Sequence, residues 1–143
     1  LRLFLIFITL ALILTGCGRG SGYACLGNDN TGVYIYSCNG NYSPLNDTQT
    51  IVLSSMNEAL GTEPKVILTI SSGLGSLNVS ILSDGEPLAG VVNAGDPLTL
   101  TGTVLLTDQA RTITVVIEPL AEGRAGRSRA NDVVWDMELR PAP

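Results

Sequence analysis

Residues 66–81 read VILTISSGLGSLNVSI, two short apolar runs on either side of a glycine turn. In the first run Val66, Leu68 and Ile70 alternate with Ile67 and Thr69, and in the second Leu77, Val79 and Ile81 alternate with Asn78 and Ser80. Successive side chains of a strand point to opposite faces, so this period of two lays one apolar row against a core. Gly73-Leu74-Gly75 has the chemistry of the turn between them.

The pattern recurs on both sides of this stretch. Leu98, Leu100, Val104 and Leu106 alternate with Thr99, Thr101, Thr103 and Leu105, and Ile113, Val115 and Ile117 alternate with Thr112, Thr114 and Val116. Near the end, Val133, Trp135, Met137 and Leu139 stand against Val134, Asp136 and Glu138, which makes Trp135 a core residue. Thr, Val and Ile suit a pleated, half-buried surface. Ser83-Asp84-Gly85-Glu86-Pro87, Asn93-Ala94-Gly95-Asp96-Pro97 and Thr107-Asp108-Gln109-Ala110-Arg111 are turn-forming separators. Only residues 54–60 suit a helical turn. Gly102 interrupts an inward row and predicts a bulge or a close crossing. One-faced strands must bury their apolar rows, so seven or eight antiparallel strands over residues 23–143 predict an all-β sandwich, immunoglobulin-like or jelly-roll in type. Strand order is not legible at this level.

The first residues have a different grammar. Arg2 is followed by an apolar run from Leu3 to Leu14. A spanning helix needs roughly 20 apolar residues, and this run is shorter, so it reads as a secretory leader. Leu14-Thr15-Gly16-Cys17, an aliphatic residue, two small residues and a cysteine, resembles the lipobox of bacterial lipoproteins. The resemblance implies that residues 1–16 are a signal peptide and that Cys17 begins the mature chain. It further implies acyl chains such as palmitate on Cys17, which would hold the domain on the extracytoplasmic side of an envelope membrane. Gly18, where an Asp often marks inner-membrane retention, points to an outer membrane if the organism has one. Residues 17–22 then form the lipidated cysteine and a glycine-rich tether, whose five residues after Cys17 span at most about 17 Å.

With Cys17 assigned to lipid, Cys25 and Cys38 remain as an even pair. A hairpin folded about Thr31-Gly32 pairs Asn30 with Val33, Asn28 with Ile35 and Cys25 with Cys38. An exported chain meets an oxidising environment, so a disulfide is expected there.

The chain contains no histidine, which excludes Ser-His-Asp and Cys-His catalysis. Without the leader it carries seven basic and thirteen acidic residues, a net charge of minus six. Lys65 is the sole lysine, so nucleic acid is not expected as a partner. Asp136 and Glu138 share the outward face of one strand, about 7 Å apart, a separation open to paired carboxylates of a glycan-directed hydrolase, although a solvated polar face is the plainer reading. Asn28-Asp29-Asn30 and Asn46-Asp47 are oxygen-rich turns that could hold calcium. Their spacing matches no EF-hand loop, Asx turns account for them, and no cofactor or other metal is expected. Tyr23, Tyr34, Tyr36 and Tyr42 cluster near the amino end. Tyr34, Tyr36 and Tyr42 form a candidate ligand surface, able to stack on a sugar or a partner chain, or else the cover of the disulfide hairpin. Arg124, Arg127 and Arg129 fall in the segment 121–131, which reads as a long loop.

The expectation that emerges is a non-enzymatic, membrane-anchored module that binds or scaffolds a protein or glycan partner. A small carboxylate hydrolase and a passive structural lipoprotein are the alternatives.

Overall fold

The structure is a computed structural model that describes residues 21–29, 32–120 and 129–143. The leader, Cys17, most of the tether, and Arg124 and Arg127 lie outside the described residues. Nine strands run in chain order: β1 Gly22–Asn28, β2 Ile35–Tyr42, β3 Gln49–Leu53, β4 Lys65–Ser71, β5 Leu77–Leu82, β6 Leu88–Val92, β7 Leu98–Thr103, β8 Ile113–Pro119 and β9 Val133–Arg140. A 3-10 turn at Glu58–Leu60 falls within the stretch expected to be helical.

The strands form a five-stranded sheet, β1-β2-β9-β4-β7, packed on a four-stranded sheet, β3-β8-β5-β6. Antiparallel pairs join β2 to β9, β3 to β8, β4 to β7 and β5 to β6. The pairs are nested, so β2–β9 is one long hairpin rolled over on itself, with successive pairs falling in opposite sheets. That is jelly-roll order, one of the two sandwich types the alternation predicts. The Gly73-Leu74-Gly75 turn therefore joins strands in different sheets.

Nine strands stand where seven or eight are predicted, because β3 and β6 have five residues each and the inner row of β6 contains Gly90. Such short strands carry little alternation to read.

The inward rows make the core. Val66, Leu68 and Ile70 of β4, Leu77, Val79 and Ile81 of β5, Ile113, Val115 and Ile117 of β8, and Val133, Trp135, Met137 and Leu139 of β9 are all buried. Each such aliphatic side chain contributes roughly 1.5–3 kcal/mol relative to exposure. One side of the sandwich closes where β6 meets β7. A Cβ on Gly90 would come within 2.6 Å of Leu98, and one on Gly102 within 2.7 Å of Leu88, so a leucine from each strand seats against a glycine of the other. Gly102 thus marks a close crossing. The register from Lys65↔Thr103 to Ile70↔Leu98 runs through it without a bulge.

Candidate functional site

The opposite side of the sandwich does not close in this way. Among the described residues β2 is the only strand that pairs with β1, whose residues are exposed except for the half-buried Cys25. Its register is the one the hairpin reading predicts, Asn28↔Ile35 through Cys25↔Cys38 to Gly22↔Asn41. Cys25 and Cys38 form a disulfide, with Cα atoms 4.1 Å apart. Cys38 is only 1% exposed, so the bond ties an unburied strand to the core. Closing a loop of this size contributes about 3 kcal/mol in the chain-entropy model. Structural disulfides of this kind belong to oxidising compartments. Among the described residues no helix is long and apolar enough to cross a membrane.

The four tyrosines do come together, on the side of the hairpin that carries the disulfide. Tyr36 and Tyr42 share the inward row of β2 with Cys38, and Tyr42 is buried at 6% exposure. Tyr34 and Tyr36 are partly buried against the core. The Tyr34 ring lies over Gly27, where a Cβ would fall 2.1 Å from its hydroxyl. Burial first, then the nearby Tyr34 and Tyr23, pushes the Tyr36 hydroxyl above the ordinary phenol value, and burial followed by Tyr23 does the same for Tyr42. Tyr23 differs from the others in being 49% exposed, and its ring centre lies 6.2 Å from that of Trp135 at a tilt of 40°.

A depression of about 450 Å³ lies across β1, β2 and β9, lined by Gly22, Tyr23, Ala24, Asn39, Gly40, Asn41, Val134, Trp135 and Asp136. Small residues create it, since Gly22 and Ala24 leave the outward face of β1 bare where larger side chains would fill it. The registers set Ala24, Asn39, Asp136 and Thr69 in one row across the sheet, with Gly22, Asn41, Val134 and Ser71 in the next. The side chains of Asn39, Asn41 and Asp136 have no hydrogen-bond partner among the described residues, whereas Thr69 bonds to Thr99. The buried indole N–H of Trp135 also lacks an acceptor there, and it lies against Gly40, where a Cβ would come within 2.5 Å of the nitrogen. The outward face of the depression therefore offers amide donors and acceptors, one carboxylate and the exposed Val134, while the Tyr23 ring lies on the opposite face with Trp135.

Asn39 and Asn41 were not singled out by the sequence. Their signal is the alternation in Ser37-Cys38-Asn39-Gly40-Asn41-Tyr42, which sets both asparagines opposite the face of Cys38.

Asp136 and Glu138 are neighbours on the outward row of β9, beside a smaller hollow of about 260 Å³ that includes Ser37, Asn39, Ile67 and Thr69. Glu138 accepts a hydrogen bond from Arg140 Nε and forms an ion pair with it, which commits one of the two carboxylates. The oxygen-rich turns are separated, for residues 28–29 and 46–47 lie beyond opposite ends of β2. Among the described residues no group of three or more His, Cys, Asp or Glu could hold a metal ion.

No protein-family model matches the chain, and no curated protein does either. Among solved structures the chain is similar to one titled "CBM4 structure and function", at 13% identity over 85% of this chain and 79% of that one, with a TM-score of 0.40. It is also similar to the family 11 carbohydrate-binding module of the cellulosomal cellulase Lic26A-Cel5E of Clostridium thermocellum, at 14% identity over 87% and 85%, with a TM-score of 0.37. The dimeric coat protein of tobacco streak virus stands at 11% identity over 88% and 90%, with a TM-score of 0.39. Likeness at this level concerns a shared two-sheet β layout and says nothing of a ligand.

Proposed function

We propose that the chain is a non-enzymatic binding module for a glycan, held at an envelope membrane through acyl chains on Cys17. The observation that carries the binding part is the depression on β1, β2 and β9, where Asn39, Asn41 and Asp136 present unpaired polar groups on the same face as the exposed Val134. An amide supplies two donors and an acceptor, and a carboxylate supplies two acceptor oxygens, a set that suits the alternating hydroxyls of a sugar. The lipid part rests on the lipobox resemblance and agrees with the Cys25–Cys38 disulfide.

The test is retention of the purified chain on immobilised neutral polysaccharides and on peptidoglycan. The expected result is retention on at least one matrix, weakened about tenfold or more when Asn39→Ala and Asn41→Ala are combined. Retention on none, or retention that ignores both substitutions, contradicts the glycan reading. Mass spectrometry of the chain from a bacterial membrane tests the anchor separately. It should show a terminus at Cys17 carrying acyl mass, and a retained leader or a bare thiol contradicts it.

A further inference from the structure

We propose that the free edge of β1 pairs antiparallel with β1 of a second copy, joining two sandwiches through one continuous sheet. In an antiparallel ladder, directly opposed residues alternate between hydrogen-bonded pairs with Cα atoms about 5.5 Å apart and non-hydrogen-bonded pairs at about 4.5 Å. The Cys25 and Cys38 Cα atoms are 4.1 Å apart, which makes theirs a non-hydrogen-bonded pair. The N–H and C=O of Cys25 therefore point away from β2, and so do those of Tyr23 and Gly27 two residues to either side.

Among the described residues this edge lacks the usual protections. Edge strands avoid association through charge, proline, shortness or cover. β1 has seven residues and contains neither a charged residue nor a proline. The edge of β7, by comparison, is flanked by β6 through the two leucine–glycine contacts.

The strand also complements itself. With Cys25 opposite Cys25 of the second copy, Tyr23 faces Gly27 and Ala24 faces Leu26, and the same contacts repeat by symmetry. In this register every outward N–H meets an outward C=O, giving about six hydrogen bonds between the copies. Each face then sets large against small. Leu26, the most exposed large apolar side chain at 70%, lies beside Ala24 of the second copy. Tyr23 lies beside Gly27, toward the Tyr34 ring that covers it. A one-residue shift would leave the outward groups opposite inward ones, and a two-residue shift would leave one of the three outward residues of β1 without an opposite number in the strand, so this register makes the most hydrogen bonds.

The experiment is mass determination by light scattering on the full chain in detergent, with a non-reducing denaturing gel to exclude a covalent link. The expected result is a non-covalent dimer. Leu26→Lys places a charge in the interface, and Tyr23→Pro removes an N–H that points away from β2 and leaves the β1–β2 bonds intact. Each should weaken the dimer about tenfold or more, while Val52→Lys, on the outer face of the other sheet, should leave it unchanged. Retention of the Cys25–Cys38 bond and of the native β-sheet circular dichroism shows that the variants fold. A wild-type monomer at every concentration overturns the proposal, and so does a dimer that survives both β1 variants or yields to Val52→Lys.

Discussion

Strands β9 and β1 both lie beside β2, yet they are held in different ways. In β9 every second residue is buried, so Val133, Trp135, Met137 and Leu139 fasten it through the apolar surface they remove from water. β1 has no such row, and what binds it is one ladder of hydrogen bonds and a disulfide. The eight strands β2–β9 form a nested set closed by burial, and β1 is a ninth stapled to its margin. Where burial does not dictate the side chains, small and polar ones remain, and the depression with its unpaired amides lies on that margin. Stability and the proposed binding thereby belong to different parts of the molecule.

The comparison can be broken at its strongest point by Trp135→Ala. Removing a fully buried indole from the nested set should cost about 3–5 kcal/mol in denaturant unfolding. A loss below about 1 kcal/mol would mean that the core does not hold β9 as described. The next effect concerns the staple. Replacing Cys25 and Cys38 together by Ala should release about 3 kcal/mol of constraint and expose β1 amides to hydrogen exchange, while β4 and β9 amides stay protected. Uniform loss of protection would show that β1 is integral to the body.

A smaller effect is expected at Arg111. This residue sits at φ 48°, and its guanidinium donates to the carbonyls of Met56, Asn57 and Gly61, binding two loops of the nested set and making none of its bonds to β1. Arg111→Gln should cost about 1–2 kcal/mol and leave β1 exchange unchanged. The smallest effect is alkaline. The folded chain keeps Tyr36 and Tyr42 protonated above the ordinary phenol value. Their contribution is therefore complete below the phenol value of the unfolded chain and is lost as pH rises through the raised folded values. Phenolate absorbance should show two tyrosines titrating late, accompanied by falling stability, and Phe at both positions should remove that part of the fall.

The core was legible because period two translates directly into a buried row: Val66, Leu68 and Ile70 read as inward and are inward. The hairpin register was legible because a turn at Thr31-Gly32 and a cysteine pair constrain the same ladder. The nesting of β2 with β9 was not, since it joins residues far apart in the chain and depends on which sheet each strand enters. The proposed binding surface was half legible. Composition revealed the tyrosine cluster, but the parity shared with Cys38 turns Tyr36 and Tyr42 inward and leaves Tyr23 as the exposed ring. Asn39 and Asn41 emerge only when the opposite parity is followed across β1 and β9.

The most direct test of binding at the stapled margin is polysaccharide retention before and after selective reduction of Cys25–Cys38, with hydrogen exchange followed on the same samples. The account predicts that reduction frees β1 and abolishes retention while the amides of β4 and β9 remain protected. Retention that persists after β1 has been freed would contradict it.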